Sequence, residues 1–191
     1  MNIQEKQTSN PSRKQVGYFC HLVLQEKHMG GILVTNQIGV PLEFKYTEPV
    51  SATKLHKILY GTVLEKYLHE TVIRDGLGRE VRTLPDYFIT AYDEKEFLGP
   101  IADREVVAIQ KYGLAPGEMS GAFNRIRDRE AIIELEEDAV FLRLAFSISD
   151  EASQLKMVAW LQEIARTMDI LEPLDRLTTA LTSLCGEGKR G

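Results

Sequence analysis

Three stretches decide the fold: residues 17–25 (GYFCHLVLQ), 31–35 (GILVT) and 40–47 (VPLEFKYT). In the first, Tyr18, Cys20, Leu22 and Leu24 share one face, and Phe19, His21 and Val23 share the other. Both faces are apolar, which predicts a strand covered on both sides and lying inside a sheet. The second stretch is again apolar on both faces. Residues 26–30 between them read as a turn, and residues 36–39 read as a tight hairpin in which Gly39 is free to take positive φ. The third stretch alternates. Val40, Leu42, Phe44 and Tyr46 form a face expected to be buried, while Pro41, Glu43, Lys45 and Thr47 form the outer one. Pro41 cannot donate to a ladder, which favours an edge position. The three strands therefore order as a meander with the third at the edge and the first inside. The charges on the third strand read as protection of that edge rather than as an acceptor for a partner strand.

Outward from this meander, Ser51 is expected to cap a helix in which Leu55, Ile58, Leu59, Val63, Tyr67, Leu68 and Val72 recur at helical spacing. Residues 86–92 (DYFITAY) form an interior strand that ends in Asp93 and Glu94, and residues 106–110 (VVAIQ) form a fifth. Residues 111–123 hold Gly113, Pro116, Gly117 and Gly121 and read as a long loop, followed by a charge-rich connection to residue 138. A further strand at 139–147 leads to a helix capped by Ser149. A last helix follows, with Pro173 in its first turn and Leu174, Leu177, Leu181 and Leu184 on one face. The expected class is α/β (or α+β). It has a mixed five-stranded sheet built from the meander, a helix and further strands, with a C-terminal strand and two helices added. The domain plan is a flexible arm at 1–15, one globular domain at 16–185 and a flexible tail at 186–191. Within the domain, 16–110 is the sheet core, 111–138 the loop and charged connection, and 139–185 the C-terminal strand and helix pair.

The composition excludes several classes. The 191 residues are 43% hydrophobic, which is too apolar for a disordered chain. No run of roughly 18 apolar residues is present to span a membrane. With 23 Lys+Arg against 28 Asp+Glu the net charge is -5, so nucleic-acid binding is not supported by bulk charge. The two cysteines, the polar first residues and the absence of a secretory apolar region read as a cytoplasmic protein with free thiols.

The order of meander, helix and two interior strands resembles the ribonuclease H-like fold, including endonuclease V-like domains, over roughly residues 16–110. The resemblance implies a central first strand, an edge third strand and a fourth strand beside the first. It also implies divalent metals held by an acid on the first strand and another at the end of the fourth. Asp93 and Glu94 suit the second position, and Glu43 and Glu48 are further acids for such a site, with Mg or Mn as the implied cofactor. The first strand, however, carries no Asp or Glu between Gly17 and Gln25, and its polar residue is His21.

Other motifs are weaker. Cys20 and His21 are neighbours on a strand and point to opposite faces, so they do not form a nucleophile–base pair. Cys20, His21, His28 and His56 lack zinc-ligand spacing. Gly30-Gly31 precedes a strand and so is not a phosphate loop. Asp93, Glu94 and Glu96 read as helix capping, and Arg104, Arg125, Arg127 and Arg129, interleaved with acids, as a solvated surface. The leucine-rich helix pair, in particular Leu161, Met168, Leu171, Leu174 and Leu177, either closes the core or docks a partner. The sequence therefore supports a non-catalytic interaction subunit without cofactor, binding a protein partner or a second copy of itself. The competing reading is a metal-dependent nuclease or phosphoryl-transfer enzyme with a rearranged carboxylate site at Asp93, Glu94, Glu43 and Glu48.

Overall fold

The structure is a computed structural model that describes residues 14–113, 123–135 and 140–187. The arm before residue 14, most of the 111–123 loop, residues 136–139 and the end of the tail lie outside the described residues. No helix among those described is long and apolar enough to cross a membrane.

Strand β1 (Gln15–Leu24) pairs antiparallel with β2 (Lys27–Asn36) through a two-residue turn. Gln25 and Glu26 form that turn at φ 53° and 59°, the mirror-image geometry that matches strand twist. The turn is thus shorter than the sequence suggests, and Lys27 to Gly30 extend β2. This places His28 in a strand, opposite Val23. The next hairpin turns at Gly39 (φ 79°), where the Asn36 side chain accepts from the Ile38 and Val40 N–H groups. It leads into β3 (Pro41–Tyr46), which sits at the sheet edge as expected. A two-residue strand, β4 (Val50–Ser51), pairs with the start of β2.

Ser51 belongs to that strand, and Thr53 is the true cap of α1 (Lys54–Tyr60): its hydroxyl accepts from the His56 N–H, and the His56 ring accepts from the Thr53 N–H. The helix does not run on regularly. It breaks at Gly61 (φ 50°), passes through a 3-10 turn and α2 (Leu64–Tyr67), widens into a π-helical segment (Leu68–Arg74) and closes in α3 (Asp75–Glu80). Only the later part packs on the sheet. Ile73 and Leu77 meet β2 at Gly30, where an added Cβ would lie 2.1 Å from Ile73 Cγ2. Leu55, Ile58, Leu59 and Val63, which the helical spacing assigns to a buried face, are all exposed.

β5 (Tyr87–Ala91) runs parallel to β1, as the fourth strand of the meander topology should. After a 3-10 turn (Tyr92–Phe97), β6 (Val106–Tyr112) runs parallel to β5. The segment read as a charged connection contains two strands, β7 (Phe123–Arg127) and β8 (Glu130–Leu135), and β8 pairs with β9 (Val140–Phe146). Among the described residues the sheet thus holds nine strands, where five and an added C-terminal strand were expected, with the order β3-β2-β1-β5-β6-β9-β8-β7 and β4 against β2. The hairpin escaped the sequence reading because the only apolar residues of β7, Phe123 and Ile126, are three apart and so give no alternation of period two.

Helices α4 (Glu151–Ala165) and α5 (Glu172–Glu187) cover the sheet face opposite α3. Asp150, not Ser149, caps α4 by accepting from the Ser153 N–H at 2.9 Å. Leu161, Leu174 and Leu177 are buried, and Met168 and Leu171 pack against the same core. Most of the apolar surface of the helix pair therefore closes the sheet, with Met168 and Leu171 half-buried. α5 packs on β1 and β2 and stops short of β3. As a result Leu42, Phe44 and Tyr46, on the face expected to be buried, are exposed. On the other face Glu43 turns inward to the Arg82 and Thr83 N–H groups, the nearest contact being 2.6 Å.

Candidate metal centre

β5 ends beside the middle of the parallel strand β1, and the polar groups of the site gather there. His21 follows Phe19 by one strand period and so points to the face carrying Phe19 and Ile32. His28, opposite Val23, points to the same face. The two rings stack with centroids 5.3 Å apart, and His21 Nε2 lies 3.1 Å from His28 Nδ1. Above them the π-helical segment delivers His69. Such a widened turn shifts the register of side chains along a helix and recurs at functional sites. His69 is edge-on to His21 at 4.7 Å and stacks on Phe97 at 4.4 Å. Glu94, in the 3-10 turn after β5, hydrogen-bonds to His69 Nε2 through Oε2.

One ligand atom each of His21, His69 and Glu94 lies within 4.8 Å of the other two. Burial comes first in pushing His21 down to about 3, followed by the neighbouring His69 and His28. At neutral pH His21 is therefore an uncharged imidazole, the form that binds metal. His69 Nδ1 and Thr90 Oγ1 are buried and have no hydrogen-bond partner among the described residues. Thr90 is on β5, beside the cluster, and lines the same cleft as His21 and Glu94. Orphaned polar atoms of this kind are costly in a closed interior. Two imidazoles and one carboxylate fit a borderline divalent ion such as Mn²⁺, Fe²⁺ or Zn²⁺. They do not fit the all-oxygen shell that Mg²⁺ prefers.

The cluster opens into a cleft of about 610 Å³ lined by Cys20, Asp93, Gln110, Lys111, Asp169 and Asp175. Cys20 meets Thr178 at 3.5 Å on the α5 side, and burial pushes its thiol up to about 11, so it is not a ready nucleophile. Of the four acids read from the sequence, Glu94 joins the cluster and Asp93 lines the cleft, exposed. Glu43 is committed to the Arg82 and Thr83 backbone, whose N–H bonds outweigh desolvation and hold its carboxyl below the usual range. Glu48 is exposed beyond β3. His69 carried no signal in the sequence, because its helix is irregular. His28 was hidden by its placement in a turn.

No protein-family model matches the chain, and no curated protein does. Among solved structures, it is similar to Endonuclease V of Ciona intestinalis in complex with a 23mer DNA containing an inosine followed by a ribo-adenosine. The identity is 11%, the TM-score is 0.54, and the match covers 93% of this chain and 88% of that one. The same enzyme with a 24mer DNA aligns at 10% identity and a TM-score of 0.53, with equal coverage. The fold is ribonuclease H-like. In this ribonuclease H-like chain the candidate centre stands where β5 ends beside β1, with a histidine on the first strand, where the resemblance implies an acid.

Proposed function

We propose that this chain is a metal-dependent phosphoryl-transfer domain of nuclease type, acting on a nucleic-acid phosphodiester through a rearranged centre. The observation that carries the reading is the convergence of His21 on β1, His69 on the π-helical segment and Glu94 just after β5, beside an open cleft. The fold neighbours that bind DNA support the substrate class. A divalent ion held there would supply Lewis acidity toward a phosphoryl oxygen.

The chain's own residues have separate tasks. His21 and His69 offer neutral nitrogen ligands, and Glu94 offers an anionic one. His28, whose Nδ1 lies 3.1 Å from His21 Nε2, orients that imidazole, and its other nitrogen lies 3.7 Å from Glu65. Lys111 at the cleft rim is placed to meet a phosphate. Glu94→Gln keeps the shape and removes the charge. The test is a cleavage assay on single-stranded and inosine-containing DNA with Mn²⁺, run on wild type, Glu94→Gln and Asp93→Ala. The reading expects cleavage in wild type, a loss of at least about 10-fold in Glu94→Gln and a smaller one in Asp93→Ala. Equal activity in wild type and Glu94→Gln would refute it.

A further inference from the structure

The sheet ends at β3, and its outer side pairs with no strand among the described residues. The Thr47 N–H donates to the Gly30 carbonyl at 3.0 Å. Bonded and non-bonded pairs alternate in an antiparallel ladder. With the register Gly31–Tyr46, Ile32–Lys45 and Leu33–Phe44, Lys45 therefore exchanges bonds with β2, while Phe44 and Tyr46 turn their N–H and C=O groups outward. Leu42, Phe44 and Tyr46 are 46%, 39% and 43% exposed, and the Phe44 and Tyr46 rings stack at 5.5 Å. An edge with outward backbone groups and an apolar row is a template for another strand.

The sequence of β3 says which strand. Place a two-fold axis at Phe44, perpendicular to the sheet, so that a second β3 runs antiparallel to the first. Phe44 then faces its own counterpart and exchanges two backbone hydrogen bonds with it. Glu43, whose carboxylate also accepts from the Arg82 and Thr83 N–H groups and lies 3.9 Å from Lys45 of its own chain, is opposite the second copy's Lys45, and Lys45 is opposite the second copy's Glu43. Leu42 lies opposite the second copy's Tyr46, and the apolar side chains of both strands share one face. A shift of the axis by one residue would set Lys45 against Lys45. Only the Phe44-centred register matches charge to charge, and an isologous contact requires such self-matching. The charges read from sequence as edge protection are of alternating sign, so they repel neither each other nor a second copy.

We infer that β3 is a dimer interface and that its occupant is a second copy of this chain, the two sheets joining edge to edge. The inference is independent of the metal centre.

The test is sedimentation equilibrium of the full chain at several concentrations in the micromolar range, for wild type, Lys45→Glu, Glu43→Lys and their equimolar mixture. Wild type is expected to dimerise. Lys45→Glu sets like charges opposite each other twice, so its dissociation constant is expected to rise about 10-fold or more. The mixture pairs an all-acidic with an all-basic β3 and is expected to recover the dimer. Glu43→Lys also removes the contact with Arg82 and Thr83, so Phe44→Lys, which places two cations at the axis without touching that contact, is the second probe and is expected to be monomeric. A monomeric wild type overturns the inference. So does a wild-type dimer that both Lys45→Glu and Phe44→Lys leave unchanged, since a different surface then joins the copies.

Discussion

Glu130 shows how a single carboxylate is held in this sheet. Tyr92 and Arg143 each donate to its Oε2 at 2.8 Å, and Lys95 donates to Oε1 at 3.3 Å. Both cations also lie over the Tyr92 ring, at 4.8 and 4.9 Å from its centre. Desolvation opposes ionisation here, but the bonds from Arg143, Tyr92 and Lys95 outweigh it and hold the carboxyl at about 2. The folded value is below the unfolded one, so this contribution is complete above the ordinary carboxylate range. It is lost as pH falls toward 2. Glu130→Gln should therefore lower stability by about 1–3 kcal/mol at pH 7. The gap between variant and wild type should narrow in urea titrations run from pH 5 down to pH 3. A gap that stays constant over that range would show that the charge is not what stabilises the group.

At the scale of elements, the informative case is the broken helix that follows β4. Its spacing of Leu55, Ile58, Leu59 and Val63 is that of a buried face, yet α1 buries nothing. The helix changes course at Gly61 and again in the π-helical segment, so the residues that meet the sheet are Ile73 and Leu77. Leu59→Lys should shift stability by less than about 0.5 kcal/mol, whereas Ile73→Ala should cost roughly 2–5 kcal/mol. Chemical denaturation of the two variants checks this contrast, and a large loss from Leu59→Lys would mean that α1 packs on something. The order of strands was legible in the sequence because β1, β2 and β5 are apolar on both faces, which forces them inside. The broken helix was not legible, since a period of 3.6 carries no warning that the phase will slip. The same slip hid one of the three candidate ligands. Glu94 was readable at the end of a strand, and His21 was readable as the polar residue of β1, but His69 enters only through the π-helical segment. β3 misled for another reason: alternation identifies two faces, but it does not say which one a helix will reach.

Across the whole molecule, two faces of one sheet do different work. α4 and α5 close one face with the leucine-rich surface that the sequence left open to a partner. The other face carries the irregular helix, and it is there that His21, His28, His69 and Glu94 meet. On the proposed reading, a ribonuclease H-like sheet carries a metal site whose ligand set is nitrogen-rich in place of carboxylate-rich. That substitution is the central claim, and its most direct measurement is Mn²⁺ and Zn²⁺ binding by isothermal titration calorimetry, with Mg²⁺ as the comparison. The account predicts one site per chain that binds Mn²⁺ or Zn²⁺ more tightly than Mg²⁺ and is weakened at least about 10-fold in both His69→Ala and Glu94→Gln. Tighter binding of Mg²⁺, or a site that neither variant weakens, would contradict it.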